Sequence, residues 1–349
     1  MITQILNLIS DLVVCILTSI YQKGITTFLF AILVISNVHG QNSFISGVTE
    51  RISNDTLTNS CNNNKHNNKH NNFTYIPFDY NNRLIKLNIG INSSQKNHEF
   101  ILDSGAPTFI SDSLVNVYDL PYLNSETVFD VNGNTQKMDF YNIRSIEIGG
   151  KQFKGIETAS NGQVANMPIL KGHQYAGLLG ANAMRNSIWQ INYNCREITL
   201  TDKSENLTLP DSTHQVKMKL DELSRPVITV IIAGKYKVDC IVDVAYNGSL
   251  LLPDRFFSKP IFNDSMSYSK QEMYSAGFET KIKQMEYKYL QNISIGNMKL
   301  ENVKASASGS NNIALVGNEF LEKYTIVMNF VDKSMAFLLV EEQCNILCC

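Results

Sequence analysis

The sequence predicts a mainly all-β fold made of two homologous lobes, and three observations carry that expectation. Short β-type runs are punctuated by Gly and Asn, long amphipathic helical patterns are absent, and the second half of the chain repeats the first. The runs include RLIKLNIGI (83–91), HEFILD (98–103), SIEIGG (145–150) and EITLTD (197–202). FILDSGAPTFIS, with its acid at Asp103, has a counterpart in CIVDVAYNGSLLLP, with its acid at Asp243, and 243 − 103 = 140. SIEIGGKQFKGIETAS (145–160) returns as NISIGNMKLENVKASA (292–307), and AGLLGANAM (176–184) returns as IALVGNEFL (313–321). The glycines of the last pair differ by 317 − 180 = 137, and at that offset WQINYNCREITL (189–200) matches IVMNFVDKSMAFL (326–338), pairing Asn192 with Asn329. Four landmarks in one order define lobes at 79–205 and 216–340, joined by a linker at 206–215.

Composition bounds what such a chain does. The 349 residues are 44% hydrophobic and 18% charged, which excludes disorder as a whole and suits about two domains of roughly 150 residues. Thirty Lys and Arg against 32 Asp and Glu leave no excess of positive charge to neutralise phosphates, so nucleic acid is not an expected partner. Seven cysteines, none in a C-x-x-C pair, form neither a dense disulfide scaffold nor a zinc site, and no metal or cofactor is expected.

Ahead of the lobes, TTFLFAILVISNV (26–38) follows Lys23 and precedes His39-Gly40, the pattern of an export signal cut near Gly40. Residues 2–21 are also apolar but carry Asp11 at their middle, where a bilayer would charge about 3 kcal/mol. Segment 1–40 is therefore an export signal or a membrane anchor, and the protein is expected outside the cytoplasm, secreted or periplasmic, or held at a membrane by this segment. Residues 41–78 read as an Asn-rich flexible linker, since CNNNKHNNKHNN (61–72) has little apolar surface to offset its ordering entropy. A metal reading of Cys61, His66 and His70 competes with low-complexity composition, which accounts for all three.

In each lobe an apolar strand delivers an aspartate into a turn, Phe100-Ile101-Leu102-Asp103-Ser104-Gly105-Ala106 and Cys240-Ile241-Val242-Asp243-Val244-Ala245-Tyr246. A lone Asp-Ser-Gly is an ordinary turn. Joined to the late motifs Leu178-Leu179-Gly180 and Leu315-Val316-Gly317 in tandem, it resembles the retropepsin-like aspartic proteases across 79–340. The resemblance implies two acid-protease-type β-barrel lobes with a cleft between them, a polypeptide substrate, and catalysis by Asp103 and Asp243. Two adjacent carboxylates cannot both ionise cheaply, so they share a proton. The ionised partner takes a proton from water attacking the peptide carbonyl, and the protonated partner stabilises the oxyanion. Glycine permits the tight turn, and its amide can donate to the carboxylate.

The resemblance also implies a flap that closes over peptide. VFDVNGNTQKMDFYNI (128–143), with its Asn132-Gly133 turn, is a strong hairpin signal, and a weaker counterpart surrounds Ala276-Gly277. An ordinary surface hairpin is the competing reading of each.

The second motif departs from the pattern. Val244 lacks the hydroxyl that the family uses for hydrogen bonds between lobes, so Ser104 supplies only one half of that grip. Ala245 replaces glycine and would be strained at a positive φ, and Tyr246 stands where the first lobe has Ala106. The expectation is an aspartic endopeptidase acting as a monomer. The alternatives are a pseudoprotease that binds peptides in the cleft, a homodimer in which Asp103 meets its own copy, and a β binding module. Cys195 and Cys240 are buried or bonded thiols, and the tail 341–349, QCNILCC at its end, reads as frayed or disulfide-forming. The sequons at Asn206 and Asn292 carry meaning only in a host that glycosylates.

Overall fold

In the chain as a computed structural model, the described residues are 73–129, 135–160, 175–206, 209–257, 259, 271–274, 282–285, 287–308 and 313–339, with backbone alone at 129, 271–274 and 282–285. The leader (1–40), the histidine tract and the tail (341–349) lie outside them, as do the turns at Asn132-Gly133 and Ala276-Gly277. Among the described residues no helix is long and apolar enough to cross a membrane.

The described chain is mainly β. Its N-terminal half runs through β1 (Thr74–Pro77), β2 (Asp79–Asn81), β3 (Leu84–Ile91), β4 (Asn97–Asp103), β5 (Phe109–Ile110), β6 (Tyr122–Phe129), β7 (Thr135–Ile148) and β8 (Lys151–Ser160). It closes with β9 (Gly177–Gly180), β10 (Ile188–Asn192) and β11 (Glu197–Thr201). The C-terminal half begins with β12 (His214–Lys217), β13 (Lys219–Leu220), β14 (Pro226–Ile232), β15 (Tyr236–Val242), β16 (Leu250–Leu252), β17 (Gln271–Tyr274) and β18 (Ile282–Met285). It continues through β19 (Tyr287–Leu290), β20 (Ile293–Ile295), β21 (Met298–Leu300), β22 (Val303–Ala307), β23 (Leu315–Val316), β24 (Tyr324–Asn329) and β25 (Ser334–Leu339).

Burial follows position in the sheets. In β14 the inward and outward residues alternate along the strand, as they do where one face meets the core and the other does not. The last four residues of β4 and all of β9 are buried on both faces, which is why their sequences read as unbroken apolar runs. These two strands pair in parallel, setting Leu102 opposite Leu179 and Asp103 opposite Gly180. In the second half β15 pairs with β23 in parallel, setting Ile241 opposite Leu315 and Val242 opposite Val316. The repeat read from sequence therefore extends to strand register.

The same symmetry governs a six-stranded sheet shared by both halves, in the order β1-β11-β10-β24-β25-β12. At its centre Gln190 faces Val327, a pair separated by the repeat offset, 327 − 190 = 137. The outer pairings stand on opposite sides of this centre, Thr74 facing Leu200 on one side and His214 facing Phe337 on the other. This corrects two linker boundaries. Thr74–Pro77, assigned to the 41–78 linker, and the start of His214–Lys217, assigned to the 206–215 linker, are strands in this sheet. They are edge strands with few buried side chains, so their apolar pattern is weak.

One apolar cluster runs through both halves, from Ile76 and Leu102 to Val242 and Phe337. Trp189, fully buried at the middle of the shared sheet, stacks on Phe153 at 5.8 Å and donates its indole N–H to the Met184 carbonyl at 3.1 Å.

Candidate active site

Parallel pairing brings each aspartate to the end of a central strand. Asp103 is the last residue of β4 and 7% exposed, and Asp243 directly follows β15, with its amide bonded to the Val316 carbonyl at 2.9 Å. The turns then fold back and give their amides to the carboxylates. Gly105 N–H donates to Asp103 Oδ1 at 2.9 Å, while Ala245 and Tyr246 N–H donate to Asp243 Oδ1 at 2.8 and 2.9 Å.

The two carboxylates meet at Gly105. Its amide binds Asp103, and a Cβ placed on it would lie 2.4 Å from both Cγ and Oδ2 of Asp243. Gly105 has no positive φ, so this position excludes a side chain because Asp243 approaches it and not because the turn needs left-handed backbone. Ala245 likewise has no positive φ, and the strain foreseen for it does not arise. The late glycines have a similar reason: a Cβ on Gly180 would fall 2.1 Å from the Pro107 carbonyl carbon, and one on Gly317 would fall 2.4 Å from the Tyr246 carbonyl oxygen. Each aspartate turn thus lies directly over the late glycine of its own half.

Ser104 bridges the halves. Fully buried, its hydroxyl donates to the Val242 carbonyl at 2.6 Å and accepts from the Val244 amide at 3.1 Å. Val244 returns no such bond and packs instead in the shared core. The first turn is also tied to its late glycine by Thr108, whose hydroxyl donates to Asn182 Oδ1 at 2.7 Å and accepts from Gly180 N–H at 3.0 Å.

Electrostatics favour retention of a proton. Burial raises the Asp103 pKa most, and the Asp243 carboxylate raises it further, against the lowering effect of the Gly105 and Ala106 amides and of Arg225. Burial also raises Asp243, against its two turn amides and Arg225. The proton belongs to the pair. Arg225, bonded through Nε to Asp221 Oδ2 at 2.7 Å, is the cation common to both. Tyr246 turns its ring over Gly317 and Gly248, and burial pushes its pKa up, against the lowering effect of a hydrogen bond to Ser306.

A second set of residues crosses between the halves beside this site. Asn318, fully buried, donates through Nδ2 to the carbonyls of Val244 and Arg83, both at 2.6 Å, and accepts from the Tyr193 hydroxyl at 2.7 Å. Arg83 Nε and the Tyr80 hydroxyl both bind Glu322, at 2.8 and 2.7 Å. Sequence reasoning missed Thr108, Asn182, Arg225 and Asn318. For Asn182 and Asn318 the available signal was a polar residue within two positions of a late glycine; Thr108 and Arg225 carried no such signal.

The strands of the first hairpin are present, β6 pairing antiparallel with β7 from Tyr122–Tyr141 to Phe129–Thr135. β17 and β18 form the corresponding pair in the second half. Cys240 is a free buried thiol and Cys195 is disulfide-bonded. Among the described residues no group of three or more His, Cys, Asp or Glu is placed to hold a metal ion. A cavity of about 130 Å³ lined by Ser204, Leu209, Val327, Asn329 and Asp332 lies on the shared sheet and includes neither Asp103 nor Asp243. No family model and no curated protein matches this sequence.

Proposed function

We propose that this chain is an aspartic endopeptidase of retropepsin-like type, with lobes at 79–205 and 216–340 and a peptide-binding cleft between them. The observation that carries the proposal is the meeting of the Asp103 and Asp243 carboxylates at Gly105, each with Oδ1 held by turn amides. Amides on one oxygen fix each carboxylate, leaving the other oxygens to share a proton and hold a water. The ionised member takes the proton of that water as it adds to the scissile carbonyl. The protonated member hydrogen-bonds the oxyanion, then a proton passes to the leaving nitrogen, so acid and base exchange roles within one turnover. The hairpin of β6 and β7 is the flap in this reading, and the segment 1–40 directs export.

The pseudoprotease alternative rests on Val244, Ala245 and Tyr246. Against it, the substituted turn still gives two amides to Asp243 and Ala245 is unstrained. The test is digestion of a peptide library at mildly acidic pH by wild type, Asp103→Asn and Asp243→Asn. Cleavage by wild type and loss in both variants is expected. Peptide binding without cleavage by folded wild type would replace the enzyme with the pseudoprotease, and full activity in Asp243→Asn would point to pairing of Asp103 with its own copy.

A further inference from the structure

The second turn lacks the hydroxyl that would reciprocate Ser104, yet it is not loosely held. Asn318 reaches it twice. Its backbone N–H donates to the Tyr246 carbonyl at 2.7 Å, and its Nδ2 donates to the Val244 carbonyl at 2.6 Å, so both bonds fall within the four residues that present the Asp243 carboxylate. The other Nδ2 proton goes to the Arg83 carbonyl at 2.6 Å and Oδ1 accepts from Tyr193, both in the opposite half. These bonds use both amide protons and the amide oxygen of a fully buried side chain, the condition under which a buried carboxamide specifies geometry.

The repeat shows that this contact belongs to one half only. Gly180 corresponds to Gly317, so Ala181 corresponds to Asn318. Ala181 keeps the backbone bond, to the Ala106 carbonyl at 2.8 Å, but has no side chain to cross between the halves. The half whose turn carries the serine hydroxyl thus has alanine after the late glycine. The half whose turn has lost the hydroxyl has asparagine there.

Resting on the reading of Asp103 and Asp243 as a catalytic pair, we infer that Asn318 is a positioning residue that replaces the missing hydroxyl of the second turn and fixes Asp243 against Gly105 through the Val244 carbonyl. The grip is then completed from two unlike sources, Ser104 from one side and Asn318 from the other.

The test compares wild type, Asn318→Ala, Val244→Thr and the double variant. Thr at 244 is close in shape to Val and returns a hydroxyl that mirrors the Ser104 bonds. Asn318→Ala is expected to lower kcat about 100-fold with KM unchanged, as a displacement near 1 Å does. It also brings the two limbs of the pH profile together, because carboxylates that move apart repel less. Arg225, its partner Asp221 and Tyr246, the titratable neighbours of the pair, are the same in all four proteins. Val244→Thr is expected to restore both kcat and the pH limbs in the Asn318→Ala background.

An Asn318→Ala protein with a lower melting temperature but unchanged kcat and pH limbs would overturn the inference, as would a Val244→Thr rescue of melting temperature alone. Carboxyl-carbon NMR titration of the same four proteins separates this from the protease reading. If wild type cleaves nothing, the enzyme proposal falls. Titration midpoints that converge in Asn318→Ala and separate again in the double variant still support positioning, and midpoints that do not move overturn it.

Discussion

Gly105 is the residue on which both carboxylates converge, and it has no room for a methyl group. Gly105→Ala would push Asp243 off the amides of Ala245 and Tyr246, and kcat/KM is expected to fall about 100-fold or more. A peptide-cleavage assay on the folded variant checks it. A second expectation follows from burial of the pair. Because the pKa of Asp103 is raised in the folded chain, the native state binds more protons than the unfolded state between the unfolded carboxyl pKa and the folded one. Its contribution to stability is therefore full at low pH and is lost as pH rises through the folded value. Asp103→Asn, which cannot ionise, is expected to raise the urea midpoint relative to wild type at neutral pH, with the difference shrinking towards pH 3. At this scale the equivalent placement of the two aspartates was legible in the sequence because the motif repeats, and the one-sided serine bond was an implication of the resemblance. Asn318 was not legible, since the three partners of its side chain, Arg83, Tyr193 and Val244, come together only through the fold.

Strands β10 and β24 pair antiparallel at the centre of the shared sheet, with Gln190 facing Val327 at the repeat offset. Trp189 fills the buried face of β10, against Phe153 and the Met184 carbonyl. Trp189→Ala leaves a cavity in the shared core and is expected to cost about 3–5 kcal/mol, read from denaturant unfolding. The central strands were legible as elements, because continuous apolar runs such as those of β4 and β9 mark strands buried on both faces. The edge strands β1 and β12 were lost to the linkers, since one short strand with a single buried side chain or none looks like polar chain until its partner is known.

For the whole molecule, lobes at 79–205 and 216–340 are each of a size at which a domain can bury its own core. The structure draws one core from both, and each half gives strands to the same sheet. A fragment covering 73–205 would expose the edge of β10 and the apolar surface that the second half covers. It is expected to show no cooperative thermal transition by circular dichroism on its own, whereas 73–340 shows one. The same union gives the site its asymmetry, because Ser104, Arg83 and Tyr193 come from one half and Val244 and Asn318 from the other.

Asp243 stands in the altered second motif, and Asp243→Asn tests its pairing with Asp103 directly. Measured on a peptide that wild type cleaves, with melting temperature recorded alongside, the variant is expected to lose about 1,000-fold or more in kcat/KM while remaining folded, the scale on which removal of an acid–base partner acts. A folded Asp243→Asn protein with wild-type kcat/KM would contradict the pairing of Asp103 with Asp243.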